Sequence, residues 1–174
     1  MLLTFFGAIA VGVLAACVAF IVRHFYGVNA RFLIPLSAGA GMLGFTVWND
    51  YTWYGRNADG LPDTVQVART IEKSWVVQPW TLVAPVVTRF QAVNLASVSR
   101  NVATPDVARA TVYLVSRFQP TFETVQVFDC AGGRRSDAAD APGDGGVPPE
   151  SAWVRIGLDD PLLSLVCGEA RRIR

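Results

Sequence analysis

Histidine and lysine are almost missing from this 174-residue chain: His24 and Lys73 are the single examples of each. Nucleophilic hydrolysis usually relies on a histidine base beside the nucleophile, so that chemistry has little to draw on, and the sequence predicts a non-enzymatic protein. Cysteine is scarce too. Cys17, Cys130 and Cys167 with one histidine fall short of four converging zinc ligands, because Cys17 lies in an apolar run and His24 in a separate short loop. An excess of one charge is also lacking, since 15 Lys and Arg face 14 Asp and Glu for a net charge of +1. The arginines are interspersed with acids along the chain, whereas a nucleic-acid surface needs concentrated positive charge. Asp137, Asp140 and Asp144 lack the calcium-loop spacing and its closing glutamate. Gly132-Gly133-Arg134-Arg135 lacks the length and the Lys-Ser/Thr ending of a phosphate loop. No cofactor or metal is expected, and no nucleic-acid partner.

What is present is apolar length. Residues 2–22 carry no charge and would extend roughly 31 Å as a helix, enough for a hydrocarbon core of about 30 Å. A second apolar run, 32 to about 48, follows the connection Arg23-His24-Phe25-Tyr26-Gly27-Val28-Asn29-Ala30-Arg31. The two predict a transmembrane helical hairpin over 1–55, with spans at about 2–22 and 32–52. A lipoprotein cleavage site at Leu14-Ala15-Ala16-Cys17 is the competing reading, which would make Cys17 a lipidation site. No basic residue precedes Leu2, and the apolar run continues past Cys17, so an uncleaved anchor is expected.

Within the spans small residues recur every fourth position. Ala8, Gly12 and Ala16 form one row, and Ser37 with Gly41, or Ala40 with Gly44, another. Such rows let helix backbones approach closely in lipid, which makes them the expected seam. Pro35 marks a helix start. Trp48, Tyr51, Trp53 and Tyr54 form an aromatic cluster suited to the membrane interface, with Asp50 at headgroup level. Arg23 and Arg31 flank the connection, whereas Arg56 after the second run is accompanied by Asp50, Asp59 and Asp63. By the positive-inside rule the connection is cytoplasmic, and the N-terminus and C-terminal domain are periplasmic. The expected location is a bacterial inner membrane, with membrane lipid as one partner.

After about residue 60 the periodicity changes to two, predicting a mainly antiparallel β domain over 60–174 and a membrane-anchored α+β fold overall. Residues 64–72 alternate with Val65, Val67 and Ile71 on one side. Trp75 and Trp80 bracket a Pro79 turn, with their indoles expected either to cap the core or to dip into the nearby interface. Residues 86–98 also fit a helical face, but their β-branched content favours a strand. Residues 108–118 alternate most clearly, and Gln119-Pro120 reads as a two-residue link to a strand over 122–129. Residues 131–151 read as a flexible Gly/Pro/Asp loop, and 152–158 as a last strand. Asp159-Asp160-Pro161 opens a C-terminal helix with Gly168 as its stop.

Cys130 and Cys167 form an even pair beyond the spans, as an oxidising compartment favours. A bridge between them would close a loop of about 37 residues and stabilise the domain by roughly 3–4 kcal/mol. Their wide spacing points to a staple, not a redox pair. The functional expectation is an accessory, structural or assembly subunit docking against a larger integral-membrane complex. The alternatives are a membrane-anchored lipid- or ligand-binding sensor and a thiol-disulfide assembly factor.

Overall fold

The computed structural model describes residues 2–27, 31–101, 104–141 and 146–172. Residues 28–30 of the basic connection, 142–145 of the expected loop with Asp144, and 173–174 lie outside the described residues. The chain forms two compact units, Met1–Arg56 and Asn57–Arg174.

The first unit holds helix α1, Leu2–Tyr26, and helix α2, which starts at Leu33 and ends at Ala58. Pro35 sits in the first turn of α2, where backbone N–H groups have no intrahelical acceptor to lose. Among the described residues α1 is the one helix long and apolar enough to cross a membrane. α2 is as long, but its apolar part stops at Trp48, where Asn49 and Asp50 follow. Residues 33–48 cover only about 24 Å of helix and are diluted by serine and glycine. Where two spans were expected from the apolar runs, one helix meets the requirement on its own composition.

The second unit is an α+β fold in which a six-stranded antiparallel sheet runs in sequence order. Its strands are β1 Val65–Lys73, β2 Val86–Arg100, β3 Val107–Ser116, β4 Phe122–Asp129, β5 Arg134–Asp137 and β6 Val154–Arg155. A single turn, α3 Trp80–Val83, interrupts the connection from β1 to β2, and helix α4, Pro161–Arg172, closes the chain. The core lies between α4 and one sheet face: Leu162, Leu163, Val166, Cys167 and Ala170 pack against Val93, Val98, Ala108, Ala110, Val112 and Phe128.

Irregular register bends the sheet. β1 shifts between Val67 and Arg69 and again between Ile71 and Glu72. The first shift leaves Ala68 unpaired and moves Ile71 to the face opposite Val65 and Val67, so the simple alternation expected of this strand does not hold. β2 carries a larger bulge between Asn94 and Ser99. Side chains satisfy the backbone it frees: Asn94 Oδ1 accepts from Ala96 N at 3.1 Å, and Ser97 Oγ accepts from Thr111 N at 2.9 Å.

Three further expectations change. β3 ends at Ser116, and residues 117–121, not two residues, lead to β4, with Phe118 at φ 66°. The segment read as a loop over 131–151 contains β5, which pairs with β4 from Gln126↔Asp137 to Asp129↔Arg134. Gly168 does not stop α4, which continues to Arg172 because Ala170, 3% exposed, packs into the core. The helix start is as read: Asp160 Oδ1 accepts from Leu162 N at 2.9 Å, a side-chain N-cap.

Candidate functional site

Three groups of residues carry the candidate functions, and the first is the contact between α1 and α2. Gly12 is buried, and Ala8, Ala16, Ser37 and Gly41 are half-buried. A Cβ placed on Gly41 would lie 2.9 Å from Ala15 Cβ and 3.3 Å from the Val11 carbonyl oxygen. One on Gly12 would lie 2.5 Å from Met42 Cε and 3.4 Å from the Ala38 carbonyl oxygen. These pairings run in opposite directions along the two helices, which therefore pack antiparallel at glycine-limited distance. Gly7, absent from the row read in the sequence, takes part by lying beneath the Phe45 ring, 2.8 Å from a Cβ it does not have. Of the two rows weighed in the second run, Ser37 with Gly41 faces α1, whereas Ala40 and Gly44 are exposed. The Ser37 hydroxyl is satisfied within its helix by the Leu33 carbonyl. Beyond the glycines an apolar groove of about 450 Å³ opens between the helices, lined by Leu14, Val18, Val22 and Leu33 among others.

The second group is the aromatic end of α2. Trp48 and Tyr51 are exposed, and Trp53 and Tyr54 half-buried. Arg56 links this end together: its guanidinium lies 5.1 Å from the Trp48 ring centre and donates to Asn49 Oδ1 at 2.7 Å and to the Thr52 hydroxyl. Thr46 and Thr52 hydroxyls donate to the carbonyls of Met42 and Trp48, each at 2.8 Å, so this helix face shows few unsatisfied polar groups. Asp50, expected at headgroup level, is buried.

The third group surrounds the cysteines. Cys130 and Cys167 are joined by a disulfide with their Cα atoms 5.8 Å apart, tying the end of β4 to α4. The neighbouring turn, residues 130–133, joins β4 to β5 and explains the paired glycines. Gly133 adopts φ +62°, and its carbonyl accepts from Ile156 N and Gly157 N, both at 3.0 Å. Asp129 Oδ1 accepts from Gly132 N at 2.8 Å and Ala131 N at 3.1 Å, while Oδ2 accepts from Arg134 at 2.7 and 3.0 Å. Burial pushes the Asp129 carboxyl upward, but the Gly132 and Ala131 amides and the Arg134 guanidinium outweigh it and hold its pKa below the ordinary carboxylate value. Arg134 also contacts Glu150 and lies 5.3 Å from the Trp153 ring centre, so its charge is committed here and not turned on a thiol.

A fourth feature lies at the β1–β2 connection, where the turn expected around Pro79 carries Trp75 and Trp80. Trp75, Val76, Val77, Leu82 and Val83 are all exposed there, beside Lys73, Arg89, Arg117 and Phe118. The available signal was the run Trp75-Val76-Val77, too apolar for a simple connection. Among the described residues no group of three or more His, Cys, Asp or Glu is placed to hold a metal ion. Comparison with protein-family models, with curated proteins and with solved structures finds no match.

Proposed function

We propose that this protein is a non-enzymatic accessory, structural or assembly subunit of a bacterial inner-membrane complex. α1 and α2 form the transmembrane hairpin, with the 23–31 connection cytoplasmic and the sheet domain periplasmic. The observation that carries the reading is the apolar groove beside the Gly12–Gly41 contact. The helices spend their small residues on each other and leave Leu14, Val18 and Val22 lining an open concavity suited to a partner's helix. α1 is too short of internal partners to be a soluble core helix, since only 11% of its most apolar window is buried. α2, less apolar, enters the bilayer as the companion that α1 covers. The Cys130–Cys167 bridge suits an oxidising compartment. A thiol-disulfide role is disfavoured because Cys167 is buried against the core and Arg134 is held by Asp129 and Glu150.

Native extraction in mild detergent followed by co-purification and mass spectrometry tests the role. A stoichiometric integral-membrane partner is expected, and Gly41→Leu should release it while leaving the second unit folded. Gly41 is the more sensitive position, because Ala15 Cβ and the Val11 carbonyl are fixed to the α1 backbone whereas Met42, opposite Gly12, can swing aside. Purification of the chain alone, with bound lipid and no partner, would overturn the accessory reading.

A further inference from the structure

The connection from Lys73 to Val86 is longer than a hairpin needs, and it is rigidly built. Thr81, 1% exposed, accepts from Trp75 N at 2.8 Å and donates to the Gln78 carbonyl at 2.7 Å, so a buried hydroxyl fixes both arms of the finger. Its apolar side chains point outward: Val76, Val77 and Val83 are 83%, 88% and 89% exposed. A connecting loop under no other demand would be polar, and keeping this much aliphatic surface in water forgoes its burial.

The surroundings indicate what covers it. A groove of about 210 Å³ at the finger's base is walled by Trp75 and Phe118 and lined by Lys73, Arg89 and Arg117, with no carboxylate in its lining. The single lysine of the chain is one of these cations. Phe118 holds a left-handed backbone, φ 66°, which a bulky side chain rarely adopts, and the Arg117 guanidinium lies 4.6 Å from its ring centre. Aliphatic tips, an indole and a set of cations are the combination that suits a lipid interface: tips to the acyl boundary, indole among headgroups, cations to phosphates. A second copy is a poorer occupant, because pairing the same patch would bring the same cations together.

We propose that this finger and groove form a docking site for a membrane surface bearing anionic phospholipid, with Lys73 and Arg89 holding headgroup phosphates and Val76, Val77 and Val83 entering the interface. The site goes beyond the accessory role and needs only that the chain enters a bilayer. The full chain carrying Cys17→Ser and Val77→Cys, with Cys130 and Cys167 left in their disulfide, takes a nitroxide on the introduced thiol. It is assembled into nanodiscs of phosphatidylcholine, or of phosphatidylcholine with phosphatidylglycerol, and co-elution with the discs reports bilayer entry separately. In the anionic discs the label should become accessible to oxygen and protected from a water-soluble nickel chelate; in the zwitterionic discs it should stay in water. Lys73→Gln or Arg89→Gln should each lower the inserted-to-free ratio about fivefold, and Arg89→Lys should largely retain it. Equal water access in both compositions would overturn the proposal. So would spin–spin coupling between labels, which marks a second copy, or loss of insertion with inorganic phosphate at constant ionic strength, which marks a free-anion site.

Discussion

Asp129 ties the β4–β5 turn to the start of β5. It accepts two turn amides and the Arg134 guanidinium, and through Arg134 it reaches Glu150 and Trp153. Its folded pKa is depressed, so its contribution is present above the unfolded value of about 3.9 and is lost as pH falls from there through the lower folded value. Asp129→Asn keeps an oxygen for the amides but loses the charge opposite Arg134. It should cost about 1–3 kcal/mol at neutral pH, and the deficit should narrow below about pH 4. Urea unfolding of both proteins at pH 7 and pH 3 checks this; a deficit of equal size at both would show that charge is not the cause. Gly168 behaves oppositely. It sits within α4 in open space, so Gly168→Ala should stabilise the unit by about 0.5–1 kcal/mol, read as a shift in the same urea midpoint.

At the scale of elements, what was legible in the sequence depended on which force decided each one. α4 announces its start through Asp160 and Pro161 because capping is local, but its end is set by Ala170 finding a place in the core, which no local signal carries. The β3 alternation was readable because every second residue faces α4, whereas Ala68 and the Asn94–Ser99 bulge depend on register with a distant strand. β5 was hidden by its composition. Arg134 and Arg135 look like loop residues until Asp129 and Glu150 supply partners for Arg134 and Phe128 and Val154 supply strand neighbours for Arg135. Among site residues, Gly12 and Gly41 were legible from spacing and the cysteine pair from parity, while the Trp75–Val83 finger depends on a Thr81 hydroxyl whose burial only the fold reveals. The bridge itself is testable at this scale. Cys130→Ser frees α4 from the end of β4 and should lower stability by about 2–5 kcal/mol. Thermal unfolding reads that loss, and replacing Cys167 alone should trap no mixed disulfides with other proteins.

At the scale of the whole molecule the two units differ in what their surfaces expose. The first exposes Phe5, Phe6, Leu14 and Phe20 along a helix whose interior face is small, which reverses the pattern of a soluble helix pair. The second has an ordinary core and a covalent staple. Joining them as a membrane hairpin and a periplasmic domain requires α2 to cross as well as α1, although α2 is the less apolar helix. Reporter fusions made after Gly27 and after Arg174 test this requirement most directly. With two spans and a cytoplasmic connection, alkaline phosphatase should be inactive after Gly27 and active after Arg174, and a fluorescent protein active only in the cytoplasm should show the reverse. If both fusions report the same compartment, α2 does not cross, and the hairpin with its periplasmic domain is contradicted.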